Sequence, residues 1–95
     1  PDRLRLVRTT PEFDETTVPA GLLAAHRIAE GVWGRLTVRS GSLRFVFESR
    51  PDVGRTVGSG EHQVIPPSEP HHVEMIGPVR FAVEFHRRDG ETSVP

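Results

Sequence analysis

Five histidines are the side chains of this sequence best suited to chemistry, and they stand at positions 26, 62, 71, 72 and 86. A neutral imidazole is a common ligand of divalent metal ions and a common acid or base near neutral pH. Cysteine is absent from the 95 residues, so the sequence excludes disulfides, thiolate metal sites and cysteine nucleophiles. Motifs typical of serine hydrolases, phosphate loops, dinucleotide-binding folds and zinc proteases are missing as well. The five histidines are therefore the first candidates for functional residues.

Alternating apolar and polar residues predict that β-strands position these histidines. Residues 33–47 and 71–86 each show two alternating runs around a turn signal, Ser40-Gly41-Ser42 in the first stretch and Gly77-Pro78 in the second. Each stretch therefore predicts a β-hairpin with one buried face. Shorter strands are predicted at residues 4–8, 55–57 and 62–65.

The segment that carries His26, residues 21–28, is predicted to be a strand rather than a helix. It is short, and it lies between a proline and a glycine that would interrupt a helix. Side chains two apart share a face of a strand, so His26 is expected on the same face as Leu22 and Ile28. That face is apolar, which indicates that His26 points inward.

His71 follows the proline-rich loop of residues 66–70 and shares a predicted strand face with Val73 and Met75. It is therefore also expected to point inward, from a different strand than His26. Two imidazoles that enter one small apolar barrel are the minimum for a metal site. The alternative is that each is a hydrogen-bonded, partly buried histidine, and the spacing alone leaves both interpretations open.

Composition places these elements in one small domain. The 35% hydrophobic and 26% charged residues suit a globular fold over residues 1–95, with a core of about 10–87 and a polar tail at 88–95. A net charge of −1 argues against a nucleic-acid partner. No apolar run reaches the roughly 18–20 residues of a membrane helix, and no signal peptide is evident. We therefore expect a cytoplasmic protein with seven or eight short strands in an all-β sandwich or small barrel.

Three blocks of the sequence resemble the TehB/YeaR-like domains of the cupin superfamily, a tellurite-resistance-associated family of largely unknown activity. The blocks are GVWGRLTV with G-x-LRF in residues 31–45, PPSEPHHVE at 66–74 and VRFAVEF at 79–85. Pro66-x-Ser68-x-x-His71 also matches the PxGxxH motif of cupins, with serine in the glycine position. The resemblance, which covers residues 10 to about 87, implies a small cupin-like β-barrel or jelly-roll sandwich with a divalent metal ion in its mouth.

By this resemblance His26 and His71 are the first candidates for metal ligands. Ile28 and Gly34 stand where the wider cupin pattern has its second histidine and its glutamate. Half of the usual set of three histidines and one glutamate is therefore missing. Nitrogen and oxygen ligands with open positions suit zinc, iron, manganese or nickel, and the sequence does not choose among them.

The third metal ligand is open at this point. Glu74 in the HHVE block is the first candidate, because the family pattern carries an acid there. Strict alternation places Glu74 on the outer face unless a bulge intervenes, and the ordinary alternative is a surface carboxylate paired with an arginine. Glu84 is the second candidate. Arg35, His72 and Glu84 are the predicted substrate-binding residues, with Arg35 offering a guanidinium fork to an oxyanion.

Three functions fit these residues. The first is a metal-binding cupin domain that acts on or binds a small molecule or oxyanion, in stress or tellurite resistance. The second is a non-enzymatic ligand-binding barrel whose metal is structural or missing, and the loss of two cupin ligands favours it. The third is a homodimerisation module that buries its edge strands. We keep the first as the prediction and leave open whether the protein is an enzyme.

Overall fold

The computed structural model describes residues 4–88, which fold almost entirely into antiparallel β-structure. The elements are β1 (Leu4–Thr9), β2 (Phe13–Asp14), a 3-10 helix (Ala20–Leu23), β3 (Val32–Phe47), β4 (Arg55–Gly58), β5 (His62–Ile65) and β6 (His71–Arg88). No helix in this part of the chain is long and apolar enough to cross a membrane. Of the predicted polar tail, Arg88 ends β6, and residues 89–95 lie outside the described residues.

Strands β3 and β6 form the framework of the fold. They pair antiparallel along nearly their whole length, from Val32 opposite Arg87 to Phe47 opposite His71. The sheet order is β1-β6-β3-β4, with β2 also on β6 and β5 also on β3. The short strands predicted near residues 4–8, 55–57 and 62–65 are confirmed, and β1 lies at the sheet edge.

The two predicted hairpins are instead two long, bent strands. The chain continues in β-structure through both turn signals, and the register of the β3–β6 pair shifts on both sides of Gly41. Such bulges bend a strand without ending it. Gly41 has a φ of +72°, and a Cβ atom there would overlap the carbonyl oxygen of Pro78. The two turn signals therefore face each other across the pair and produce one shared bend, and the described residues form six strands rather than seven or eight.

The predicted strand at residues 21–28 is wrong in its first half. Ala20–Leu23 form a 3-10 helix, and its hydrogen bond back to the preceding proline uses an N–H donor that a strand ladder would need. Ala24 after it has extended backbone angles, but only His26 pairs as a strand residue, in an isolated antiparallel bridge with His71. His26 still lines the same cavity as Ile28, although Arg27 between them lines it too.

The bend folds the strand pair back on itself, and the buried apolar side chains form one cluster drawn from both halves. Burial of each large apolar side chain contributes roughly 1.5–3 kcal/mol to stability. His71, only 2% exposed, is the single polar or charged residue among the buried residues of the described chain. A histidine at such a position needs satisfied hydrogen bonds. The cluster comprises Ile28, Leu36, Val38, Leu43, Phe45, Val57, Ile65, Val73, Val79, Phe81 and Val83.

Candidate metal and ligand site

A pair of backbone hydrogen bonds brings His26 and His71 together. The His26 N–H donates to the His71 carbonyl at 3.0 Å, and the His71 N–H donates to the His26 carbonyl at 2.8 Å. Residues that face each other in an antiparallel pair project their side chains to the same side. The two imidazole rings accordingly meet edge to face, with their centroids 4.2 Å apart.

Each of these rings is oriented by a backbone carbonyl. The Nδ1 atom of His26 lies 3.1 Å from the carbonyl oxygen of Ala24, and that of His71 lies 2.9 Å from the carbonyl oxygen of Glu69. A carbonyl oxygen only accepts hydrogen bonds, so this pairing assigns the ring proton to Nδ1 in both histidines. The Nε2 lone pair is left for a ligand, and metal-binding histidines are commonly oriented in this way.

His71 lies deepest in the site. Its ring stacks on Phe45, with centroids 5.3 Å apart and an angle of 19° between the planes. Burial lowers the pKa of His71 below its usual value, and nearby His26 lowers it further, while the hydrogen bond to Glu69 acts in the opposite direction. Burial thus favours the neutral ring, which is the form that can donate a lone pair.

The loop before His71 is tied to the segment that carries His26. Ser68, in the glycine position of the PxGxxH motif, has a φ of +65°. The motif therefore keeps its left-handed residue although the glycine is missing, at a cost of about 1 kcal/mol. The Ser68 N–H donates to the Ile28 carbonyl at 2.9 Å. This hydrogen bond and the His26–His71 bridge hold the two segments side by side.

The two rings line a cavity of about 390 Å³. Its other walls are mainly apolar, with Leu36, Phe45 and Val83 among the buried members. Cavities of roughly this size bind small organic molecules, with a few polar groups that fix the orientation. Within residues 4–88 no carboxylate side chain lines the cavity. His71 is the most buried polar side chain of its lining.

His72 and Glu74 lie on the outer face of β6, as alternation from His71 requires. His72 sits between two carboxylates: its Nδ1 atom contacts Glu48, and its Nε2 atom is 2.9 Å from Glu74. Glu74 also lies 3.2 Å from the Nε atom of Arg44. The hydrogen bonds to Glu74 and then to Glu48 raise the pKa of His72. These residues form a surface network outside the cavity.

The structure does not bring the other predicted site residues to the two rings. Arg35 and Glu84 face each other across β3 and β6, and neither lines the cavity. Glu84 is 3.3 Å from the Nε2 atom of His86. Among the residues described, no group of three histidine, aspartate or glutamate side chains is placed to hold a metal ion. The candidate centre therefore consists of His26 and His71, without Glu74.

Three cavity residues were missed by sequence reasoning: Arg8, Arg27 and Arg87. One of them carried a signal, because Arg87 falls on the same face of β6 as Val83 and Phe85. It stands at the last position of the predicted core and was not named as a site residue. Arg8 and Arg27 gave no such signal, since their place at the cavity depends on how β1 and the His26 segment pack.

A bent antiparallel strand pair with a cavity between its halves defines a cupin-type barrel. A cupin-2 domain protein from Shewanella frigidimarina has the same fold, with a TM-score of 0.56 and 21% identity over 87% of this chain and 68% of its own. The predicted fold class, an all-β cupin-like barrel, is confirmed.

The chain belongs to the TehB-like domain family, whose family model matches residues 8–83. It is 29% identical over 87 residues to the uncharacterized protein YeaR of Escherichia coli K12. This alignment covers 82% of this chain and 73% of YeaR. A crystal structure of an Escherichia coli K12 protein superposes with a TM-score of 0.80 and 26% identity, over 90% of this chain and 92% of that one. The resemblance predicted from the three sequence blocks is confirmed.

Proposed function

We propose that this domain binds a small molecule in its cavity and that His26 and His71 hold a divalent metal ion at the cavity wall. The observation that carries the proposal is the edge-to-face contact of two imidazoles whose Nδ1 atoms both face backbone carbonyls. Zinc, iron, manganese and nickel all accept imidazole nitrogen, and two imidazoles do not select among them.

Two imidazoles fill only half of the positions of a four-coordinate ion. Water or the bound molecule would complete the set, and in the second case ligand and metal would be in direct contact. A bound metal would act as a Lewis acid on an oxygen of the ligand. The chain itself orients the rings through the Ala24 and Glu69 carbonyls and surrounds them with mainly apolar walls. The proposed activity is binding, because these residues define no reaction step.

The second candidate is a ligand-binding barrel that needs no metal. The observation that favours it is the lack of a third protein ligand among the described residues. In that case the Nε2 atoms of His26 and His71 would accept hydrogen bonds from the bound molecule. Metal content separates the two candidates directly.

The test is elemental analysis of tag-free protein after equilibration with zinc and removal of excess metal. We expect the wild-type chain to retain one ion and the His26→Ala/His71→Ala variant to bind zinc at least about tenfold more weakly. A His62→Ala/His86→Ala variant is the matched control, because neither residue lines the cavity.

Equal zinc retention in the wild type and in His26→Ala/His71→Ala would reject the ligand assignment. Zinc loss in both double variants would show a non-specific effect of histidine removal and would also reject it. Circular dichroism is recorded on every variant, so that loss of fold is not mistaken for loss of the site. No retention by the wild type would favour the metal-free barrel.

A role in stress or tellurite resistance remains a prediction of the family resemblance. The 95 residues contain no cysteine, so they cannot reduce or bind tellurite through thiols. An oxyanion would have to bind at the metal or at cationic side chains of the cavity.

A further inference from the structure

Three arginines, Arg8, Arg27 and Arg87, line the more exposed part of the cavity. None of the three has a carboxylate partner within residues 4–88. Elsewhere on the surface Arg39 and Arg80 pair with Glu12, and Arg44 pairs with Glu74, whereas Arg35 and Arg50 also have no such partner among these residues. Among the described residues, the cavity therefore combines an apolar interior with a rim of three arginines that have no carboxylate partner.

Arg8 is held at this rim by Phe85. Its guanidinium carbon lies 5.0 Å from the centroid of the Phe85 ring, which is a cation–π distance. Within the described chain no hydrogen bond uses its five N–H donors, so these donors remain for a ligand. Phe85 also lines the cavity, so a molecule held by Arg8 has an apolar surface beside its anionic group.

Arg87 lies two residues beyond Phe85 on the same face of β6 and is only partly exposed. A partly buried guanidinium without an acceptor loses hydration that an anion would replace. Arg27 stands on the segment that carries His26 and lines the same cavity. Guanidinium groups bind carboxylates through paired N–H donors, and such charge-assisted hydrogen bonds are about twice as strong as neutral ones.

We propose that the ligand of this cavity is an amphiphilic organic carboxylate, with its carboxylate group at the rim of Arg8, Arg27 and Arg87 and its hydrocarbon body in the interior. This inference rests on the small-molecule cavity of the proposed function and does not require the metal ion. The apolar walls favour a ligand with a hydrocarbon body, and the arginines favour a ligand with a negative charge. An inorganic oxyanion has no body to fill the interior and is expected to bind more weakly.

The test is calorimetric titration of the metal-free chain with sodium octanoate, with 1-octanol as the uncharged match and sulfate as the anion without a hydrocarbon body. We expect octanoate to bind at least about tenfold more tightly than either, since one charge-assisted pair contributes this much. The Arg27→Gln/Arg87→Gln variant should lose the preference for octanoate over octanol. Arg39→Gln/Arg50→Gln removes the same charge outside the cavity and should keep it.

The inference is overturned if octanoate does not bind, if octanol or sulfate binds as tightly, or if the preference survives in Arg27→Gln/Arg87→Gln. Arg8→Gln must show the same loss, which keeps the test valid if the double variant fails to fold.

A preference for octanoate seen only with zinc bound, and lost in His26→Ala/His71→Ala, would assign the carboxylate to the metal. That result would overturn the rim assignment and leave the proposed metal site standing. If the metal-free chain prefers octanoate but the wild type retains no zinc, the rim assignment stands and the proposed metal site is rejected.

Discussion

The adjacent residues His71 and His72 lie on opposite faces of β6, and strand alternation therefore gives the two imidazoles opposite environments. His71 is directed into the core, where burial lowers its pKa. His72 is directed outward between Glu74 and Glu48, and its hydrogen bonds to them raise its pKa. One residue type is therefore favoured as a neutral ligand at one position and as a cation at the next.

The raised pKa of His72 predicts a pH-dependent contribution to stability. Because its folded-state pKa lies above the unfolded value of about 6.5, the contribution is fully present below that pH and is lost as pH rises through the folded-state pKa. The free energy of unfolding of wild type minus that of His72→Gln should therefore be larger near about pH 6 than near about pH 9. Urea denaturation at a series of pH values measures the difference.

His71 contributes with the opposite sign, since its pKa is lowered: its contribution is fully present above about pH 6.5 and declines as pH falls through its folded-state pKa. It is unchanged in His72→Gln, so it cancels in the difference. His62→Gln, at an exposed position, is the matched control. A His72 contribution that grows with rising pH would contradict the role assigned to the two glutamates.

At the scale of single residues, the sequence predicted which way side chains point better than it predicted which residues they lie next to. Alternation correctly predicted that His71 points inward, and both histidines line one cavity. Their metal-binding role stays a prediction. The arginine rim was missed because Arg8 and Arg27 reach the cavity through the packing of segments distant in sequence, which alternation within one strand cannot reveal.

Among the elements, the bend shared by β3 and β6 shows why local turn signals misled. Ser40-Gly41-Ser42 and Gly77-Pro78 are both compatible with hairpin turns when each is considered alone. In the structure Gly41 packs against the backbone of Pro78 and Val79, so both signals serve one bend. The requirement for glycine arises from contact with a distant strand, and a local pattern contains no information about that contact.

This close approach predicts that Gly41→Ala is strongly destabilising. The left-handed φ of +72° costs any non-glycine residue about 1–2 kcal/mol. The new Cβ atom would also overlap the Pro78 carbonyl oxygen, which is backbone and cannot easily move away. We expect a total loss above about 2 kcal/mol in the free energy of unfolding, measured by urea denaturation.

Gly60→Ala is the matched control for this substitution. Gly60 has a similar φ of +84°, but no atom lies within 4 Å of a Cβ atom placed there. Gly60→Ala should therefore lose only the free energy that the left-handed backbone conformation costs. The difference in destabilisation between the two variants measures the contact with Pro78. Equal destabilisation of the two would show that the bend does not depend on the close approach.

At the scale of the whole molecule, the fold class was predictable and the path of the chain was not. Alternation and frequent Gly and Pro residues predicted an all-β barrel, and the three resemblance blocks predicted its family. The number and length of the strands depend on whether the chain turns or bends at Gly41 and Gly77. That choice is decided by the pairing of β3 with β6, a property of the complete sheet.

The homodimer that the sequence left as an alternative would depend on this complete sheet as well. Within the described residues β1 pairs only with β6 and so forms one edge of the sheet. Leu4 and Leu6 on this strand are 50% and 53% exposed. A second copy that paired antiparallel along β1 would satisfy the edge and cover both leucines.

We therefore expect the wild-type chain to form a dimer at high micromolar concentration and Leu4→Lys/Leu6→Lys to be monomeric, as measured by light scattering after size exclusion. Lysines on an edge strand oppose strand addition through charge repulsion. Val53→Lys/Ile76→Lys replaces two exposed apolar residues elsewhere and should leave the dimer intact. A wild-type chain that remains monomeric at every concentration would reject self-association through β1. A dimer that survives Leu4→Lys/Leu6→Lys would place the contact on another surface.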